Sequence, residues 1–112
     1  MATSIAHRMT GLALVAGTLV LAWWLLALAA GPQYYDAFSA TARHPVGQLI
    51  LFGFVWSLSF HLLNGIRHLA WDVGIGFDVH IANRTGIAAI ALSLLLAIAV
   101  FAYAYAVQGL QL

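Results

Sequence analysis

The chain has 112 residues, one domain's worth, of which 64% are hydrophobic and 6% charged. A surface so poor in charge could not keep a soluble domain in solution, so composition places the chain in a lipid bilayer. The lack of cysteine excludes disulfides and thiolate chemistry, and a formal charge of +1 with no basic stripe argues for no nucleic acid partner.

Three uncharged runs alternate with the charged residues. The first extends from Met9 to Gly31, the second from Pro45 to Ile66 and the third from beyond Arg84 to Leu112. Each exceeds the roughly 20 residues that a helix needs to cross a hydrocarbon core. Spanning strands would need alternation and a turn about every ten residues, and neither is present. The runs predict a single transmembrane domain over 1–112, with helices at about 4–30, 45–71 and 83–108. Met1 to Arg8 is too short and too polar for a signal peptide.

The first helix starts near Ser4 and ends at Gly31-Pro32. The connection "GPQYYDAFSATARHP" reads as a loop with a turn signal at each end, with room for an interfacial turn in "DAFSATARH". Arg43 and His44 read as interface anchors there. Pro45 suits the first turn of the second helix. The second connection, "DVGIGFDVHIANRTG", carries Asp78 and His80 as loop residues and ends at Asn83, a suitable N-cap for the third helix. Three hairpin-connected helices put Arg8, Arg67 and Arg84 on one side of the membrane and Arg43 on the other, which predicts that the N-terminal side is the cytoplasmic or matrix side.

The second run contains one titratable side chain, His61, in the stretch "SFHLLNGIRHLAWD". An ionisable residue at hydrocarbon depth marks a functional site or an interhelical hydrogen bond. Neutral imidazole is a good axial ligand for haem iron. His68 lies seven residues on, roughly 10 Å along the axis, too far to close the same iron. His7, His44 and His80 lie at run ends or in loops. A second axial ligand would therefore come from another subunit. Gly65, one turn from His61, leaves room for a flat macrocycle or packs against a helix.

"SIAHRMTG" groups Ser4, His7 and Arg8 at the start of the first helix. Arg67 and His68 end the second helix on the same side, so the two clusters can meet. Haem carboxylates and quinone carbonyls both suit such donors beside an apolar slot. Asp72 reads as an ion-pair partner of Arg67 or Arg8, or as a proton acceptor.

Both motifs resemble a known family. "SIAHRMTG" is similar to the S-x-x-H-R-x-[ST]-G signature, and "HLLNGIRHLAWDVG" to the H-x-x-x-G-I-R-H-x-x-x-D-x-G signature, of the cytochrome b556 membrane anchors of succinate dehydrogenase, respiratory complex II. The resemblance covers both motifs, their separation and the three-helix layout. It implies an all-α membrane protein, three transmembrane helices forming half of a heterodimeric haem-binding bundle. It implies His61 as an axial ligand of haem b, with the second axial His from a partner subunit, and His7, Arg8, Arg67 and His68 around the haem propionates. It implies ubiquinone as substrate, held by Ser4, Ile5 and Arg8 with Asp72 nearby. The implied partners are a second small membrane anchor, an iron–sulfur subunit and a flavoprotein subunit that holds the succinate site. The implied location is a bacterial inner membrane, with a mitochondrial inner membrane second.

The family usually carries a further segment before the first motif, often with "RP-x-SPH", whereas this sequence starts almost at Ser4. The anchor of a quinol–fumarate reductase is the alternative, because sequence does not separate the direction of electron flow. A small multidrug-type transporter needs a membrane-embedded acid, and all three Asp residues lie outside the runs. A structural anchor with a merely packed His61 is the remaining reading.

Overall fold

A computed structural model describes residues 2–76 and 78–108 as four helices. They are α1 (Ala2–Ala30), α2 (Pro32–Arg43), α3 (Pro45–Asp72) and α4 (Val79–Gln108). The stretch beyond Gln108, where the third run was read to continue, lies outside the described residues. Helices α1, α3 and α4 are each long and apolar enough to cross a membrane. At 1.5 Å per residue each is over 40 Å long, about the thickness of a bilayer with its headgroups.

The first connection is a helix rather than the loop the turn signals suggested. Gly31 takes φ 127, which favours glycine, and Pro32 follows at the first helical position. Twelve residues of α2 then run to His44, whose extended backbone separates it from α3. The His44 ring accepts a hydrogen bond from the Val46 amide at 3.2 Å, so this side chain caps α3. Gly47 lets α3 start against α2: a Cβ there would collide with the Thr41 carbonyl oxygen.

The third spanning helix begins earlier than its apolar run. The Asp78 side chain accepts from the His80 amide at 2.8 Å, and its carbonyl accepts from Ala82 at 2.7 Å. Asp78 is therefore the N-cap, Asn83 lies inside the helix, and His80 sits in the first turn rather than in a loop.

α3 is central, packed by α1 on one side and α4 on the other. The α4 face turned to α3 is a row of small residues, Gly86, Ala89, Ser93 and Ala97, all buried. Small side chains let membrane helices approach closely where no hydrophobic drive separates protein from lipid. Trp56 Nε1 donates to Ser93 Oγ at 3.0 Å across this interface. At the end away from the N-terminus, Tyr105 donates to Gln48 Oε1 at 2.7 Å, and Gln48 Nε2 donates to the Ala42 carbonyl at 2.8 Å. One glutamine thus ties α2, α3 and α4 together.

Candidate functional site

The N-terminus of α1, the C-terminus of α3 and the start of α4 meet at one end of the bundle, here called the amino end. Polar side chains of the three spans converge there. On α1, Thr3, His7 and Thr10 recur every three or four residues and form one stripe facing α3. On α3, His61, Asn64 and Arg67 recur every three residues and face back.

His7 and His61 stack, with ring centroids 4.0 Å apart and planes 14° from parallel. Glycine on α1 makes the approach possible: a Cβ on Gly11 would stand 3.5 Å from His61 Cε1. Thr10 Oγ1 lies 3.3 Å from His61 Nδ1 and donates to the His7 carbonyl at 2.9 Å. Asn64 is fully buried, with Nδ2 3.0 Å from His7 Nδ1. His68 is exposed and presents its ring edge-on to His7, with centroids 5.5 Å apart, and to Trp71 at 4.9 Å.

Arg67 is the hub of the amino end. Its Nη1 donates to Asn64 Oδ1 at 2.9 Å and to Thr3 Oγ1 at 3.3 Å. Its Nε donates to Thr85 Oγ1 at 3.0 Å, and Nη2 to the Ala82 carbonyl at 2.9 Å. The guanidinium also lies 4.3 Å from the Trp71 ring centroid, a cation–π distance. These partners, rather than the Asp72 carboxylate, take up its donors; Asp72 is exposed at the end of α3. Gly86 gives the guanidinium its room: a Cβ there would meet Thr3 at 3.0 Å and Arg67 Nη2 at 3.5 Å.

Of Ser4, His7 and Arg8, His7 alone meets the second motif, joined there by Thr10 and Gly11. Ser4, Ile5 and Arg8 lie on the exposed side of α1, beside the stripe but turned away from it. Gly65 also faces open space, with nothing within 4 Å of a Cβ built on it. Within this chain it packs against no facing helix. Thr3, Thr10, Asn64 and Thr85 were not singled out by sequence. Their three- or four-residue spacing from His7, His61 and Arg67 was the available signal for all but Thr85.

A cavity of about 580 Å³ begins one turn beyond Thr10 and His61, toward the far end, between α1 and α3. Leu14, Gly17, Trp24, Phe54 and Leu58 line it, together with Phe38 of α2. Its walls are almost wholly apolar. A smaller cavity of about 320 Å³ lies between α3 and α4 beside Trp71 and Ile81. The site thus pairs a half-buried imidazole with a large greasy slot and a cluster of neutral and cationic donors at the membrane edge. That chemistry suits a flat, mostly apolar ligand with polar groups on one edge.

Over residues 1–100 the sequence matches the family described as the succinate dehydrogenase/fumarate reductase transmembrane subunit. Among curated proteins it is 42% identical over 89 residues to the succinate dehydrogenase cytochrome b556 subunit of Paracoccus denitrificans, covering 80% of this chain and 68% of that one. It is 41% identical over 83 residues to the cytochrome b556 subunit of Rickettsia typhi, covering 74% and 64%. It is 35% identical over 96 residues to the mitochondrial cytochrome b560 subunit of Bos taurus, covering 82% and 56%. The chain therefore spans about two thirds of the bacterial relatives and just over half of the bovine one.

Proposed function

Because the chain belongs to the family of transmembrane subunits of succinate dehydrogenase and fumarate reductase, we propose that it is a cytochrome b anchor that holds haem b and helps form a ubiquinone-reducing site. The observation that carries this reading is the half-buried His61, standing one turn from an apolar cavity of about 580 Å³ at the only intramembrane cluster of imidazoles among the described residues.

The residues present fit haem. His61 would hold the haem iron from this chain, together with a histidine of a partner anchor. Leu14, Gly17, Phe54 and Leu58 offer the apolar wall a macrocycle needs. His7, His68 and Arg8 lie at the membrane edge, where propionates are neutralised. Arg67 acts there mainly through Asn64 and His7, since four of its five N–H groups are engaged. Bound haem would supply a one-electron redox centre.

Ser4 and Arg8, exposed on one side of α1 with Ile5 between them, suit a site completed by another subunit. They donate to a quinone carbonyl, and exposed Asp72 is a proton carrier close to the same membrane edge. The iron–sulfur subunit docks on this end and delivers electrons, and the flavoprotein subunit beyond it oxidises succinate. The arginine asymmetry makes this end cytoplasmic in a bacterial inner membrane.

The test is an optical spectrum of the purified complex. His61→Ala should abolish the b-type signal, and an unchanged signal would overturn the ligand assignment. Arg8→Ala should lower succinate–quinone activity by about 10- to 100-fold while dye-linked succinate oxidation survives, a loss of about 1.4–2.7 kcal/mol of transition-state binding. Equal loss of both activities would count against a quinone role.

A further inference from the structure

We propose that the stacked histidines are held in opposite tautomers, His61 with its proton on Nδ1 through Thr10 and His7 with its proton on Nε2 through Asn64. Thr10 and Asn64 are then positioning residues, one for the haem ligand and one for a propionate donor. This rests on the haem reading above.

The assignment follows from donor bookkeeping that begins at a group whose roles are fixed. A guanidinium only donates. Arg67 Nη1 lies 2.9 Å from Asn64 Oδ1, so the amide oxygen faces the arginine and the amide nitrogen faces His7. Asn64 Nδ2 therefore donates across 3.0 Å to His7 Nδ1. That ring nitrogen must be bare, and the neutral ring carries its proton on Nε2. A doubly protonated His7 would set N–H against N–H at a fully buried amide.

The second ring is fixed from the other side. Thr10 has one hydroxyl hydrogen. The His7 carbonyl can only accept, and it lies 2.9 Å from Thr10 Oγ1, closer than His61 Nδ1 at 3.3 Å. The hydrogen goes to the carbonyl, so toward His61 the hydroxyl oxygen accepts. His61 then carries Nδ1–H and keeps the lone pair on Nε2.

The consequence is a division of labour between two rings 4.0 Å apart. Iron binds the bare nitrogen of a neutral imidazole, and a hydrogen bond from the other nitrogen fixes the ring and raises its basicity. His61 is prepared for that role. His7 is barred from using its bare nitrogen, because Asn64 occupies it, and offers an N–H that suits a carboxylate. The same residue type thus serves as ligand in one place and donor in the other, and the neighbours on each helix set which.

Two measurements on the purified complex test this. In the ferrous, low-spin complex labelled with 15N-histidine, nitrogen resonances should show His61 protonated at Nδ1 and His7 protonated at Nε2 with a bare Nδ1. A proton on His7 Nδ1, or none on His61 Nδ1, would overturn the proposal, and this needs no variant to fold. In the second measurement, Thr10→Val should weaken haem retention about tenfold and raise the haem midpoint potential, since a less basic ligand favours ferric iron less. Thr10→Ser, which keeps the hydroxyl, should restore both. Unchanged retention and potential in Thr10→Val would sink the role of Thr10. His61→Ala separates the layers: loss of the b-type spectrum there upholds the haem reading whatever Thr10 does, and its persistence removes both.

Discussion

The two faces of α3 are built differently. Toward α4 it meets Gly86, Ala89, Ser93 and Ala97 and is pinned by Trp56 on Ser93, with the smaller cavity of about 320 Å³ beside Ala89 near the amino end. Toward α1 it holds its polar stripe at one end and a cavity of about 580 Å³ along the rest. Small residues on one face and Leu14, Trp24, Phe54 and Leu58 around a void on the other are opposite solutions to the same packing problem. Small side chains let α4 lie close against α3. The open face is where a ligand can replace missing side-chain contacts.

Changes on the open face should affect ligand binding, and changes on the closed face should affect stability. The largest effect should come from Gly17→Trp, which fills the cavity from α1. Haem content, read from the b-type absorbance per complex, should fall at least tenfold, a cost of about 1.4 kcal/mol or more in binding. Wild-type haem content would erase the functional distinction between the two faces.

Ser93→Leu should act in the opposite sense. It overpacks a fully buried site and removes the partner of Trp56. The expected cost is about 1–3 kcal/mol, seen as a lower thermal midpoint of the complex, with a normal spectrum in the molecules that remain assembled. The smallest effect should come from Tyr105→Phe, which deletes one interhelical hydrogen bond to Gln48. About 0.6 kcal/mol is expected for such a bond within a membrane bundle. A shift as large as that of Ser93→Leu would mean that the far end, rather than the small-residue row, holds α4 in place.

The spans were legible because length and apolarity decide them. Gly31-Pro32 and Pro45 gave boundaries within a residue or two of α1 and α3. α2 was misread because Gly-Pro signals a turn, yet a proline at a first helical position also starts a helix. α4 was placed late because its apolar run begins after Arg84, whereas the cap at Asp78 starts the helix in its polar first turn. At the site, His61 stood out as an imidazole inside hydrocarbon. Its pairing with His7 did not, because that contact joins residues 54 positions apart and depends on the rotation of α1 against α3. Asn64 and Thr10 were hidden for the same reason: beyond its spacing and one bond on its own helix, each meets a histidine only across the α1–α3 interface.

Arg67 also constrains how the chain can be made. Its acceptors lie at Thr3, Asn64, Ala82 and Thr85. A ribosome produces the first two before or with the arginine and the last two only afterwards. Until residues 82–85 leave the exit tunnel, the guanidinium at the end of α3 lacks half of its partners and must stay in the aqueous headgroup layer. Delivery of the last span lets it settle, so the amino end of the bundle closes late in biosynthesis. A chain cut off after Asp72 would leave a charged clamp with nothing from α4 to grip, in reach of the quality-control machinery of its membrane.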